Sequence, residues 1–350
     1  MTTVVAGALL AGIILYGVFG GADFGTGLWD LTAGGAARGA RPRALIDHAI
    51  GPVWEANHTW LIFCLVILWT GFPTAFAAIM TTLYIPLGIA AFGIVLRGSG
   101  FAFRKVSMRT AAQRLNGVAF ATSSVLTPFC FGSVAGGVAS GRVPSGGHGD
   151  PITSWLNPTG VLGGLLAVST CGYLAAIFLI ADARRDGAAD LERWARRRAV
   201  LAALAAGIAA LVGLFVLHAD ARRLWTRLLH VGWPLIAIST AAGLAALLVT
   251  ATPTLRWRPA AVRPLGALAV AAVLAGWGVA QYPYLLGTHL NLHSGAAPAA
   301  TMTALGGVTL LAVVLVVPSL AWLLWLTHHG TLAEIEPGYL TQRPPGADRN

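Results

Sequence analysis

The sequence predicts an all-α polytopic membrane protein of about nine transmembrane helices. Three observations carry this reading. Of 350 residues, 56% are hydrophobic and only 10% are charged, whereas soluble domains carry about a quarter charged residues. Apolar stretches close to the roughly 20 residues that a helix needs to cross a bilayer recur along the chain. Arginines fall in short runs between these stretches, a distribution that sets membrane topology and argues against nucleic-acid binding despite a net charge of +10.

The spans read as 4–32, 50–71, 74–97, 114–138, 159–181, 198–217, 229–251, 263–281 and 302–326. The first has no positive leader and runs through Asp23 to no small-residue cleavage site, so it is expected to be retained. Gly71-Phe72-Pro73 alone joins spans two and three, which predicts a tight antiparallel hairpin. Residues 1–138 thus hold four spans, and 139–157, rich in Gly, Pro and Ser, read as an outer loop. A fifth span (158–182) is followed by an amphipathic basic segment (183–198) containing Trp194, expected to lie along the inner surface. Residues 199–327 hold four more spans, the connection at 282–300 opens on the interface-anchoring pair Tyr282-Pro283, and 328–350 form a tail. No strict repeat is visible.

Orientation follows from the positive charges. Of 23 Lys and Arg residues, 17 fall in or beside the connections after spans one, three, five and seven, and four in the other connections. The richer side faces the cytoplasm, with the N-terminus outside and the C-terminus inside. Cys64, Cys130 and Cys171 lie in apolar stretches without CxxC spacing and read as small core residues.

The polar residues at membrane depth are the candidate functional groups. Asp30 sits near the inner end of span one and reads as an interfacial charge. Asp23 lies two turns deeper, about 10 Å along the axis, where an ionisable group must be paired, hydrated or neutral. Gly20, Gly21, Gly25 and Gly27 allow another helix to approach it closely. A purely structural aspartate, bonded to a neighbouring helix, is the alternative. Span two opens with Trp54, Glu55, Asn57, His58 and Trp60. Its inner start sets Glu55 at a depth similar to Asp23, and Glu55 and His58 are i,i+3 neighbours. Two carboxyl groups beside a titratable imidazole suit a cytoplasmic proton entry; a capped helix start with an interfacial tryptophan belt is the plain alternative. Arg97 closes span three and either snorkels to the interface or pairs with Asp23 or Glu55. His289 and His293 have i,i+4 spacing but fall in a loop, which weakens a zinc reading.

The stretches GADFGTGLWDL (21–31), GPVWEANHTWLI (51–62), LRGSGFAFR (96–104), TPFCFGSVAGGVASG (127–141) and QYPYLLG (281–287) together resemble subunit II of the cytochrome bd-type quinol oxidases. The likeness extends over the whole chain, and WEANHTW is similar to the actinobacterial branch. The resemblance implies a bacterial plasma membrane and two four-helix bundles plus one peripheral helix, with the fifth span read as that peripheral helix or as the link between the bundles. It implies a larger partner, subunit I, that carries haems b and d and the quinol site, with oxygen reduced to water in the respiratory chain. By the same resemblance this chain binds no haem or metal itself, consistent with its lack of buried His and Met pairs. Asp23 and Glu55 would line a proton path, and Trp60 would lie near an oxygen channel; beyond the resemblance, Asn57 and His58 read as positioning a water chain on that path, with Trp54 beside the channel or a structural quinone. A small single-span subunit can accompany the pair. The sequence departs from the family by Glu55 where Asp is frequent, and by Ala56 and His58 where Gly and Gln are.

A proton-coupled secondary transporter also uses midmembrane carboxylates, although no matched pair of broken helices stands in the two halves. The two readings separate on purification from the native membrane. Haem absorbance that co-purifies with the chain is the outcome expected of an oxidase subunit, and a haem-free preparation is that of a transporter.

Overall fold

The computed structural model describes residues 1–50, 54–106, 110–252 and 261–328. Span one is a single rod with a flaw. Helix α1 (Thr2–Leu15) passes through a π-helical turn (Tyr16–Gly20) into α2 (Gly21–Leu31). The wide turn inserts a residue and so rotates the faces of α2 relative to α1 by about 100°. Gly34, at φ 103°, then turns the chain into α3 (Ala36–Ile50), whose Leu45 and Ile46 are buried.

Helix α4 (Trp54–Gly71) ends at Phe72, and α5 (Pro73–Thr82) leaves it at 117°. Pro73 has no N–H to continue the α4 ladder but suits the first position of a new helix. A second break at Leu83 starts α6 (Tyr84–Val106). The expected tight hairpin between spans two and three is therefore not what forms: α4 packs on α1 and the π turn, whereas α6 packs on α7 (Thr110–Ala139), with short α5 between them.

Helix α8 (Pro158–Arg185) begins at the Asn157 cap, whose side chain accepts from Gly160 N–H. Next come α9 (Ala189–Asp220), α10 (Arg222–His230), α11 (Trp233–Ala251) and α12 (Val262–Gln281). A two-stranded antiparallel hairpin, β1 (Tyr284–Leu286) and β2 (Leu290–Asn291), leads to α13 (Ala299–His328). Among the described residues, seven helices are long and apolar enough to cross a membrane, or eight if the bent α4–α5 pair counts as one span. The second and third predicted spans account for the difference, because one is bent and the other broken.

Two sequence expectations fail here. The basic segment 183–198 is not a separate surface helix: α8 ends at Arg185, Gly187 turns at φ 66°, and the remainder forms the first turns of α9. Leu191, Ala195, Ala199 and Ala202 are buried there at helical spacing, which holds this stretch against α8. Nor is the fifth span peripheral. It is the most buried of the seven, packed on α2, α7, α9 and α12. Small residues explain its position. A Cβ on Gly25 would stand 1.8 Å from the Cys171 carbonyl oxygen, and one on Gly132 would stand 2.2 Å from that of Gly163, so both neighbours meet α8 backbone to backbone.

Two large apolar clusters result, beside a small third one of Ala221, Leu224 and Ala280. One surrounds α8 with Val18, Trp29, Ile46, Phe120 and Leu174; the other joins α1, α5 and the hairpin through Val5, Phe72, Leu83, Trp155 and Leu286. Outward faces of α9 and α13 expose Phe215 and Leu310, as expected of lipid-facing helices.

Gly25→Ala is expected to destabilise the fold by about 1–3 kcal/mol, the scale of core overpacking. Gly243→Ala, whose Cβ would meet only Ala269 at 3.8 Å, should be near neutral. Thermal denaturation of the two variants in detergent makes the comparison.

Candidate functional site: a buried arginine–aspartate pair

Asp23 follows the π turn by one helical turn, and its side chain is met by Arg97 from α6. Arg97 Nη1 donates to one carboxylate oxygen at 3.0 Å and Nη2 to the other at 2.9 Å. Nη2 also donates to the Asp23 carbonyl at 2.9 Å, and Nε donates to Ser124 Oγ of α7 at 2.9 Å. Ser124 hands its own hydrogen to the Phe120 carbonyl, and Thr26 Oγ1 donates to the Asp23 carbonyl. The Phe24 and Phe120 rings stand 5.1 and 4.8 Å from the guanidinium carbon.

Arg97 is 1% exposed and is the largest of the fully buried side chains. Of the sequence's alternatives, the pair with Asp23 is therefore the one adopted, and the snorkelling position is not. The reason is electrostatic. A fork of donors meeting a carboxylate in two parallel bonds, with the third nitrogen also satisfied, is the arrangement in which a buried ion pair recovers its desolvation. Gly27 makes room for it, because a Cβ there would lie 2.2 Å from Ser124 Cβ.

A second pair stands one step nearer α3. The sequence reads Asp30 as an interfacial charge, but Asp30 is buried and Arg43 Nε donates to it at 2.9 Å. Helix α3 folds back over the end of α2 and supplies that arginine. Arg41 pairs with Asp190 of α9, and Arg198 donates to the Thr32 carbonyl while stacking 3.8 Å from the Trp194 ring.

Helix α4 begins at Trp54, so Glu55 is in its first turn, but the side chains of Trp54 and Glu55 lie outside the described residues. The proposed depth match of Glu55 with Asp23 falls there too. Asn57 is buried, and among the described residues its Nδ2 has no hydrogen-bond partner. His58 is half-buried, as is Trp60, whose ring meets Phe63 edge-on at 6.4 Å. On the same face of α4, Cys64 packs against Leu9 and Gly12 of α1. Among the described residues no three His, Cys, Asp or Glu side chains converge as metal ligands, His289 and His293 included.

The structure adds groups that the sequence reading missed. Ser124 and Phe120 complete the Arg97 site, and Ser123, Ser124 and Thr127 form a buried polar stripe on α7 whose short side chains gave the only signal in the sequence. At the far end of the bundle, Arg142 takes both oxygens of Asp220, which also accepts from the hydroxyl and N–H of Thr159 at the start of α8. The hydrogen bonds that Arg142 donates to Asp220 raise its pKa above the usual guanidinium value.

The fold and site define a polytopic helical membrane protein with an ion pair locked between three of its helices. A family profile described as cytochrome bd terminal oxidase subunit II matches residues 1–327. The chain belongs to that family. It is 27% identical over 197 residues to a Bacillus subtilis (strain 168) protein named cytochrome bd ubiquinol oxidase subunit 2, covering 55% of this chain and 56% of that one. It is 26% identical over 222 residues to the Escherichia coli (strain K12) cytochrome bd-I ubiquinol oxidase subunit 2, covering 60% of this chain and 56% of that one. The chain thus spans about half the length of these curated relatives. In structure it is similar to a chain of the bd oxidase from Geobacillus thermodenitrificans, with a TM-score of 0.77, 22% identity, and coverage of 93% of this chain and 98% of that chain. At that identity the likeness speaks for the fold.

Removing one partner of the central pair leaves a charge stranded in the bundle. Arg97→Gln is expected to lower stability by about 3–5 kcal/mol, and Asp23→Asn/Arg97→Gln together should recover a large part of it. Thermal denaturation of the solubilised protein measures both. Asp23 variants therefore report on stability before they report on function.

Proposed function

We propose that this chain is the haem-free subunit II of a bd-type quinol oxidase, silent by itself and completing the membrane interface of a haem-bearing subunit I. The observation that carries the reading is the family match over nearly the whole chain. In this reading haems b and d, quinol oxidation and the reduction of oxygen to water belong to the partner. A small third subunit, a structural quinone and bound lipid complete the assembly. The chain would cross the membrane nine times, with α4 and α6 as the second and third crossings, in two four-helix bundles that share α8. Its N-terminus would lie outside and its C-terminus in the cytoplasm.

The proposed work of this subunit is to bring protons from the cytoplasm toward the partner. Glu55 would admit the proton at the start of α4, and Asn57 and His58 would hold water beside it. Asp23, clamped by Arg97, would stand as the charged wall of the route. Support comes from the burial of Asn57 and Asp23 on two elements that both adjoin the π turn, since polar and ionic groups at membrane depth mark ion pathways. Trp54 and Trp60 would flank an oxygen or quinone channel.

Glu55→Gln removes the titratable group while keeping its size. In the purified, haem-loaded complex it is expected to lower quinol-driven oxygen consumption by about tenfold, equal to about 1.4 kcal/mol of barrier. Wild-type turnover in a fully assembled variant would remove Glu55 from the route.

A further inference from the structure

Among the described residues, two buried hydrogen-bond donors, one on the π turn that precedes Asp23 and one on α4, have no partner. Tyr16 opens the π turn, and its phenol oxygen is fully enclosed without a hydrogen bond. Its ring is fixed by edge-on contacts with Phe24 at 6.5 Å and Phe131 at 6.0 Å. Asn57 of α4 is 2% exposed, and its Nδ2 is likewise unpartnered.

Helix register places these two groups on facing elements. The Cys64 thiol lies 4.0 Å from the Leu9 carbonyl, and a Cβ on Gly12 would stand 2.8 Å from the sulfur. Helices α1 and α4 run antiparallel. Asn57 lies two turns before Cys64, about 10 Å along the axis, and the π turn spans about 6 to 12 Å beyond Gly12, with Tyr16 at its near end. Asn57 therefore faces the π turn, and α4 does pack directly on Tyr16–Gly20. The next turn of the same rod carries Asp23.

An enclosed donor left without an acceptor forfeits its full hydration, and inside a membrane no bulk water relieves it. One molecule satisfies both. A water oxygen has two lone pairs to accept from the Tyr16 hydroxyl and the Asn57 amide, and two hydrogens to donate onward. The Asp23 carboxylate offers an acceptor, because its two bonds to Arg97 use only part of its lone-pair capacity. Placing a proton on Asp23 itself would cancel the charge that Arg97 is bound to.

We propose that the π turn and α4 enclose an ordered water site, held by Tyr16 and Asn57, through which protons pass beside the Asp23–Arg97 pair without breaking it. A proton arriving from the α4 side takes the lone pair on which the Asn57 amide rests, the water releases another proton onward and the hydrogen bond from the amide re-forms, so the pair keeps its charges throughout. Tyr16 is a positioning residue, acting through the water it orients. The proposal rests on the proton-path reading above and adds the means of transfer.

The test uses the intact oxidase complex. A high-resolution cryo-electron-microscopy map is expected to show water within hydrogen-bond distance of both Tyr16 Oη and Asn57 Nδ2; a map with dry contact between the side chains overturns the site. Tyr16→Phe, which removes only the hydroxyl, should slow turnover about three- to tenfold, the scale of one lost hydrogen bond. It should also raise the solvent deuterium isotope effect, with haem content and thermal stability unchanged. Asn57→Leu should do the same, and if it fails to assemble, Tyr16→Phe and the wild-type map still decide. Unchanged turnover and isotope effect in Tyr16→Phe, with Glu55→Gln slow, overturn the water site and leave the proton path standing. Wild-type rates in both variants overturn the path and, with it, the conducting role of the water.

Discussion

A guanidinium sunk into the middle of a membrane bundle must have a carboxylate, and in this protein that requirement organises three helices at once. Arg97 comes from α6, Asp23 from α2, and Ser124 and Phe120 from α7. None of the three can slide along another without pulling a charged donor from its acceptor, so the pair sets their register in a way that interchangeable apolar contacts cannot. The glycines follow from it. Gly27 lets α7 come close enough for Ser124 to reach Arg97, and Gly25 lets α8 press on the opposite side of α2. The π turn above Asp23 sets which way the acid points, since an inserted residue rotates everything that follows.

The remaining arginines repeat this logic at the ends of the bundle. On the α3 side, Arg43 closes on buried Asp30, and Arg263 joins α12 to Asp182 and the Phe178 carbonyl of α8. At the other end stand the four arginines that depart from the charge asymmetry of the loops. Arg142 is committed to Asp220, Arg223 and Arg227 donate to the Gly287 and Tyr282 carbonyls of the hairpin, and Arg222 stands against His218. Their positive charge is used to tie connections together, which accounts for their presence on the side poorer in charge.

In the proposed proton route, function would follow from the contrast between satisfied and unsatisfied polar groups. Every nitrogen of the Arg97 guanidinium is engaged, which suits a fixed source of field and register. The neighbouring donors on Tyr16 and Asn57 are not, and such groups inside a membrane call for a mobile partner. A route for protons needs both properties side by side, a charge that stays and a hydrogen-bond chain that rearranges.

Much of this was legible in the residues. Lipid tolerates only long apolar helical runs, so the membrane class and most spans follow from the sequence, and the cost of burying charge singled out Asp23 and Arg97 before any contact was known. What the sequence left open was partnership. Whether Arg97 reached water, Glu55 or Asp23 depends on the distance between helices 74 residues apart in the chain, and no local pattern encodes that distance. The burial of Asp30 depends on α3 folding back, the break at Leu83 interrupts an apolar run that reads as continuous, and the central place of α8 comes from glycine contacts with two other helices. Hydrophobicity by itself determined which segments enter the membrane; only tertiary packing decided which of them meet, because close approach is set by paired surfaces and not by either sequence alone.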